Sequence, residues 1–294
     1  MTQPVGDQLN VLLHESDKSI WSTAALVLAI RGAGSDEQQA AAHAVLEASG
    51  VDGVAGLGRE EAGGLAAQAA APVHQVASLL RGEGQMWAAQ SDEALVAQGR
   101  ASAQGAAAFA QFGLPMLAGL REAFDGGARM LDVGTGVAAL AVAYAELFPR
   151  LTVVGIDVLP RVLALAAQTV AASSVGDRVI LREQDVSSLD EPNMYAFAWV
   201  PAPFLPASAL GAGVERVVEA LRPGGWLMLG HGKYGGSAID DAVGRFKTIA
   251  YGGTALDDNE AEGMLGSAGL VEVRTPPTPH GSPAITVGRK PPPP

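Results

Sequence analysis

Two acidic residues and two glycines lie around the ends of two apolar segments, a pattern suited to holding a nucleotide-like ligand. Segment 129–133 runs through Asp132 into a turn with Gly134 and Gly136, and a helical stretch follows. Glycines let the backbone approach a ligand closely, and a helix start offers free N–H groups. Segment 151–156 ends at Asp157, 25 residues after Asp132. A carboxylate there can accept hydrogen bonds from both hydroxyls of a ribose.

The position of Asp132 separates two classes of ligand that use this geometry. A dinucleotide-binding turn has the pattern Gly-x-Gly-x-x-Gly, and the third position counted from Gly134 is here Ala139, which the looser pattern tolerates. Asp132 comes two residues before Gly134. Its charge would repel a pyrophosphate and attract an ammonium group. The sequence therefore favours S-adenosylmethionine, which carries a ribose and an aminocarboxylate but no phosphate, over NAD.

Four segments, in order, resemble the motifs of class I S-adenosylmethionine-dependent methyltransferases. The first motif is matched by residues 131–138 (LDVGTGVA) and the second by 153–157 (VVGID). The third is matched by 178–186 (RVILREQDV), and the turn into the fifth strand by 221–230 (LRPGGWLMLG). The resemblance covers roughly residues 114–288. It departs from the family at Ala138, where the first motif usually has a third glycine.

The resemblance implies which residues bind S-adenosylmethionine and its product S-adenosylhomocysteine. The acid and turn of the first motif would hold the amino-acid end, Asp157 the ribose, and Asp185 the adenine amino group. The full predicted set is Asp132, Gly134, Thr135, Gly136, Asp157, Val158, Asp185, Val186 and Trp199. Simpler alternatives stay open for two of these residues, since Asp185 could cap the turn that follows it and Trp199 could pack in the core.

The acceptor is expected beyond the same sheet edge, because open parallel sheets bind ligands at the carboxyl ends of their strands. The residues predicted to contact it are Pro201, Phe204, His231 and Tyr234. His231 could remove a hydroxyl proton near neutral pH, or it could be a loop histidine without chemistry. Val200-Pro201 and His231-Gly232 stand where a catechol-type enzyme would need carboxylate and amide ligands, so no metal is expected.

The order of apolar and helical segments predicts an α/β fold. Five short strands alternate with helices from residue 128 onward, and a terminal antiparallel pair follows, at 129–133, 151–156, 178–183, 195–200, 225–230, 270–274 and 284–287. With the resemblance, this predicts a Rossmann-like, seven-stranded, mostly parallel sheet with helices on both faces. The three predicted regions are an alanine-rich helical cap or dimerisation region at 1–112, the methyltransferase domain at 113–290, and a disordered proline tail at 291–294. Helices are predicted in the first region at 19–31, 36–49, 59–70, 72–80 and 84–112, and the first helix after the glycine turn is predicted at 137–148.

Composition limits the partners of the chain. It has 294 residues, no cysteine and a net charge of −12, without a basic cluster, so nucleic-acid substrates are disfavoured. It has no apolar run long enough to span a membrane, and its start lacks the features of a signal peptide. We therefore expect a cytoplasmic protein of bacterial type that acts on a small molecule, with a homodimer contact through the N-terminal helices.

The resulting hypothesis is metal-independent methyl transfer by in-line displacement. The preferred acceptor is a hydroxyl oxygen, on analogy with the helical segments of small-molecule O-methyltransferases, while carbon and nitrogen acceptors stay open. Two alternatives remain at this point: an NAD(P)-dependent oxidoreductase, and a methyltransferase-like domain that binds without turnover. The chain lacks the Tyr-x-x-x-Lys pair expected of such an oxidoreductase. The intact cofactor motifs count against a domain that binds without turnover.

Overall fold

The computed structural model describes residues 5–81, 87–233, 237–250, 252–278 and 283–292. The chain divides into two compact units after Arg81. This division lies before the predicted boundary at residue 112, because helix 92–108 packs against the sheet-bearing unit. The cap and dimerisation role of residues 1–112 stays a prediction. No helix in the described ranges is both long and apolar enough to cross a membrane.

The first unit contains three helices, α1 (Val5–Arg31), α2 (Asp36–Ala48) and α3 (Arg59–Leu80). Helix α2 begins at a capping box, in which Ser35 and Gln38 each bind the other's main-chain N–H. The prediction placed the first helix at 19–31 and split the third around Pro72. Both are corrected, since α1 begins at Val5 and α3 continues through Pro72. Proline removes only one main-chain donor, and buried residues lie on both sides of it, Ala70 and Ala71 before it and Gln75 and Ser78 after it.

The second unit contains the predicted seven-stranded sheet, with strand order β3-β2-β1-β4-β5-β7-β6. Strands β1 to β5 are parallel, and β7 is antiparallel to β5 and β6. The strands are β1 (Arg129–Val133), β2 (Thr152–Asp157), β3 (Val179–Glu183), β4 (Tyr195–Pro201), β5 (Leu221–His231), β6 (Val271–Arg274) and β7 (Ala284–Arg289). The helices are α4 (Asp92–Ala108), α5 (Leu120–Asp125), α6 (Ala139–Leu147), α7 (Pro160–Ala171), α8 (Ala207–Ala220), α9 (Ala238–Ala250) and α10 (Asp258–Ser267).

Each face of the sheet is covered by its own apolar core. On one face, Met130 and Phe197 pack with aromatic residues that include Phe109, whose ring stacks on that of Phe197 at a centroid distance of 5.0 Å. On the other face, Leu131 and Leu229 pack against the apolar sides of α8 and α10. Alternate residues of a strand point to opposite faces. Successive side chains of β1 or β5 therefore face the two apolar cores in alternation.

The predicted helix at 84–112 is shorter than expected. Helix α4 begins at Asp92 because the Ser91 hydroxyl caps it, accepting a hydrogen bond from the N–H of Ala94 at 3.3 Å. One wide helical turn, Phe109–Gly113, continues from its end. Residues 84–86 of the predicted helix lie outside the described residues.

Candidate cofactor and acceptor site

The turn after β1 needs its two glycines for their backbone conformation. Gly134 and Gly136 have φ angles of +62° and +58°, in the left-handed region that glycine adopts without strain. A Cβ on Gly134 would lie 3.8 Å from the Pro201 ring, and one on Gly136 would lie 3.9 Å from a carbonyl oxygen. A methyl group would therefore meet no clash at either position, so the backbone conformation, rather than close contact with protein atoms, accounts for these two glycines.

Ala138, at the position of the family's third glycine, also has a left-handed backbone, with φ +60°. Helix α6 consequently begins at Ala139, two residues after the predicted start at 137. The Ala138 side chain is fully buried. A residue with a Cβ is held in a conformation that L-amino acids rarely adopt, so this turn carries some backbone strain.

A glycine that sequence reasoning missed makes room for Thr135. A Cβ on Gly155, in the middle of β2, would lie 2.6 Å from Thr135 Oγ1. The Thr135 side chain therefore lies against β2, and its hydroxyl donates a hydrogen bond to Asp132 Oδ2 at 2.7 Å. Its N–H also donates to the Ile156 carbonyl at 3.0 Å. The only sequence signal was a glycine in an otherwise β-branched strand.

Asp132 is the most perturbed acid of the site. Only 1% of its surface is exposed. Burial raises its pKa from 3.8 to about 7, the hydrogen bond from Thr135 lowers it, and the charge of Asp157 raises it further. A cationic group beside this carboxylate would stabilise its charged form. The site thus matches the ammonium of an aminocarboxylate ligand better than it matches a phosphate.

Asp157 joins the first two motifs. Its Oδ2 accepts a hydrogen bond from the N–H of Gly136, and its Oδ1 accepts one from the N–H of Leu159, both at 3.0 Å. Burial raises the pKa of this carboxyl, and these main-chain hydrogen bonds oppose the rise. The following residue, Val158, is exposed. The structure therefore brings Asp132, the glycine turn and Asp157 together at the carboxyl ends of β1 and β2.

Asp185, after β3, is exposed and caps a short helical turn. Its Oδ1 accepts hydrogen bonds from the Ser187 N–H at 2.8 Å and the Ser187 hydroxyl at 2.7 Å. The side chain of Val186 is buried against Gly213 of α8. The N–H of Gln184 donates to the Asp157 carbonyl at 2.9 Å, so this loop is attached to the second motif. Capping is thus observed, and contact with adenine stays a prediction.

Trp199, Pro201 and Phe204 lie at or just after the end of β4. All three were predicted to lie near the methyl group or the acceptor. Trp199 pairs in register with Asp132, and its ring covers Gly230, where a Cβ would lie 2.3 Å from it. Pro201 faces Gly134. Phe204 packs edge-to-face on Trp87, at a centroid distance of 5.1 Å. This edge is apolar, and Trp87 lies in the predicted cap region at 1–112 but was not singled out from the sequence.

His231 lies away from this group. It follows Leu229 on the face of β5 opposite Asp132 and has no exposed surface. Its Nδ1 lies 3.0 Å from the Gly232 carbonyl, and Nε2 lies 2.8 Å from the Thr286 hydroxyl. Burial lowers its pKa despite nearby Asp258. This placement argues against the predicted general base and substrate contact, because both ring nitrogens are engaged inside the core. Tyr234 lies outside the described residues.

Within the described ranges, no group of three or more His, Asp or Glu side chains is arranged to hold a metal ion.

Comparison with known proteins agrees with this geometry. Residues 130–225 match the family model described as a methyltransferase domain. Carboxy-S-adenosyl-L-methionine synthase from Chromohalobacter salexigens is 31% identical over 106 residues, which are 35% of this chain and 39% of that protein. The matched region thus spans about two fifths of that relative's length.

Two solved structures share the fold along nearly the whole chain. Human N-acetylserotonin methyltransferase in complex with S-adenosylmethionine has a TM-score of 0.65 at 14% identity, covering 99% of each chain. A putative O-methyltransferase from Nostoc punctiforme has a TM-score of 0.63 at 15% identity, covering 98% of this chain and 100% of that one. The motifs, the family match over residues 130–225 and the strand order all support a class I S-adenosylmethionine-dependent methyltransferase fold for the sheet unit.

Proposed function

We propose that this protein transfers the methyl group of S-adenosylmethionine to a small-molecule acceptor, preferentially to a hydroxyl oxygen and without a metal ion. The observation that carries the proposal is the buried arrangement of Asp132, Thr135 and Asp157 around a glycine turn. Asp132 would bind the ammonium of the cofactor and Asp157 its ribose. Asp185 and the Val186 main chain would bind the adenine.

The apolar edge formed by Trp199, Pro201 and Phe204 supports the acceptor part of the proposal. S-Adenosylmethionine supplies an activated methyl group, so the protein's contribution is to align the acceptor and exclude water. An edge built from an indole, a proline ring and a phenyl ring suits both tasks. No side chain on this edge is titratable near neutral pH. The preference for oxygen follows the names of two structural neighbours, an N-acetylserotonin methyltransferase and a putative O-methyltransferase.

We also propose that the protein is cytoplasmic and of bacterial type. We further propose that two copies form a homodimer through their N-terminal helices. Helix α1 supports the contact, because large apolar side chains lie exposed along it. They include Leu9, Leu12, Leu13, Ile20 and Trp21. A second copy of the chain would remove this surface from water. Sedimentation equilibrium of the full chain, compared with a variant carrying Leu12→Glu and Trp21→Glu, tests the dimer.

Calorimetric titration of the full chain with S-adenosylmethionine, S-adenosylhomocysteine and NAD tests the proposed cofactor. We expect saturable binding of the first two and none of NAD. Saturable NAD binding without a response to S-adenosylhomocysteine would overturn the proposal. Mass spectrometry then tests the acceptor atom, using methyl-labelled cofactor and a panel of hydroxylated aromatic compounds with and without EDTA. Turnover that EDTA abolishes and magnesium restores would contradict the metal-independent reaction.

A further inference from the structure

The segment between Trp87 and Asp92 contacts two sides of the candidate site. It begins with a short helical turn, Trp87–Ala89, and leads into α4. At one side, the Trp87 ring packs on Phe204 after β4. At the other side, main-chain carbonyls of the segment bind Arg161, four residues after Asp157. The segment therefore links the carboxyl ends of β2 and β4.

Arg161 fixes the main chain of this segment. Its Nη1 donates hydrogen bonds to two carbonyl oxygens, that of Gln90 at 2.8 Å and that of Ala88 at 3.3 Å. Its Nη2 pairs with the Asp92 carboxylate. The guanidinium thus binds oxygens of Ala88, Gln90 and Asp92. Because the guanidinium is planar, these three contacts restrain the orientation of Gln90, the middle residue.

Apolar packing holds the same segment close to the glycine turn. Trp87 and Leu159 belong to one cluster with Leu95 and Val137, which lies between Gly136 and Ala138. Helix α4 approaches the turn so closely that a Cβ on Gly99 would lie 2.2 Å from Val137. The segment and the start of α4 therefore cover the first two motifs.

Gln90 has a buried amide whose oxygen is not hydrogen-bonded by any of the described residues. The residue is 7% exposed, and its Oε1 has no hydrogen-bond partner among the described residues. A buried acceptor without a partner destabilises a folded protein, so such a group calls for a specific explanation. Its main chain is fixed beside α7, which begins three residues after Asp157. A donor that arrives with the ligand would satisfy it.

We propose that Gln90 is a cofactor-binding residue whose amide oxygen accepts a hydrogen bond from a ribose hydroxyl of S-adenosylmethionine. The assignment rests on the proposed function. We assign Gln90 to the ribose because Arg161, four residues after Asp157, holds the Gln90 main chain. Asp157 is the acid of the second motif, to which we assign the ribose. Gln90 would then bind the diol from the covering segment while Asp157 binds it from the sheet.

The variant Gln90→Met tests this role, because methionine keeps the length of the side chain and removes the amide. Gln104→Met, at an exposed position on the following helix α4, is the matched control. Calorimetry would measure binding of S-adenosylhomocysteine and of methylthioadenosine, which retains the ribose and adenine but lacks the amino-acid end. Thermal unfolding would measure the stability of the ligand-free protein.

We expect Gln90→Met to weaken binding of both ligands by roughly two- to tenfold, the value of one neutral hydrogen bond. We also expect it to raise the Tm of the ligand-free protein, because an unpartnered acceptor is removed. A merely structural glutamine would do the opposite, lowering the Tm and leaving both affinities unchanged. That result would overturn the proposal, as would weakening confined to S-adenosylhomocysteine. If the wild type binds neither ligand, the proposed function itself fails.

Discussion

The carboxylate of Asp157 accepts a hydrogen bond from the main-chain N–H of Gly136, with 3.0 Å between Oδ2 and N. This bond joins the end of β2 to the turn that follows β1. The acid that we assign to the ribose therefore also holds the glycine turn in place. A substitution at this position changes both the ligand contact and the surface that the ligand meets.

We expect Asp157→Ala to weaken binding of S-adenosylhomocysteine by about ten- to a hundredfold, the value of a charge-assisted hydrogen bond of roughly 1.5–3 kcal/mol. Calorimetry checks the affinity and circular dichroism checks that the variant is folded. Asp177→Ala, at an exposed acid away from the turn, is the control. An unchanged dissociation constant in a folded Asp157→Ala protein would place the ribose elsewhere.

Asp132→Asn should stabilise the free protein while weakening the binding of S-adenosylhomocysteine. The pKa of Asp132 is raised from 3.8 to about 7, so the folded state holds a proton that the unfolded state releases. The stability contributed by this proton is present below pH 4 and is lost as the pH rises to about 7. The full loss is roughly 4 kcal/mol by linkage.

Urea unfolding of the wild type and Asp132→Asn at pH 5 and pH 8 measures this difference. We expect the variant to gain several kcal/mol relative to the wild type at pH 8, and less at pH 5. Calorimetry at pH 8 should show weaker binding, since the ligand's ammonium loses its carboxylate partner. Equal stability differences at both pH values would show that Asp132 titrates normally.

His231→Gln should affect stability rather than ligand binding. Burial lowers the pKa of His231, so the unfolded state binds a proton that the folded state excludes. The contribution of the neutral imidazole is therefore present above pH 6.5 and is lost as the pH falls below it. We expect the variant to lose about 1–3 kcal/mol at pH 8, because the core hydrogen bonds are disrupted.

Thr286→Val, which removes the hydroxyl bound to Nε2, should have an effect of similar size. Chemical unfolding checks both variants, and titration with S-adenosylhomocysteine should give the wild-type affinity. Full stability in His231→Gln would contradict the buried placement of the imidazole.

Ala138→Gly should change the free energy of unfolding by less than about 1 kcal/mol. Relief of the left-handed backbone at φ +60° gains roughly 1–2 kcal/mol. Loss of a buried methyl costs about 0.8 kcal/mol, and the freer unfolded chain costs about 0.4–1 kcal/mol. Ala138→Val, which adds bulk at the same backbone angle, should lose several kcal/mol. Urea unfolding compares the two, and equal effects would contradict the strain.

The sequence predicted the sheet unit well, because its signals are local. The apolar runs predict the bounds of β1 to β4 to within one residue at each end. The spacing of the family motifs points to Asp132 and Asp157, which the structure brings together at the glycine turn. Helix α1 was predicted too short, although Val5, Leu9, Leu12 and Leu13 recur at helical spacing in its exposed first turns. Strand β5 begins four residues earlier than predicted, through a Pro-Gly-Gly sequence typical of a turn.

The sequence wrongly predicted a loop position for His231 and gave no indication of a role for Gln90. The physical reasons differ. His231 was expected in a loop, but β5 extends one residue further and turns the side chain into the core with Leu229. Gln90 belongs to no motif. Its burial depends on Arg161 and on packing with residues far away in the chain, and such tertiary contacts leave no local pattern in the sequence.

The position of β7 has a consequence for how this protein is made. Although β7 comes last in the sequence, it is inserted between β5 and β6. During synthesis, β5 therefore leaves the ribosome with one edge bare, and that edge stays open until residues 284–289 emerge. Bare edges recruit strands from other chains. A nascent chain stalled before residue 284 would display a ready template for aggregation, and the sheet unit can complete its fold only after residue 289 has been synthesised.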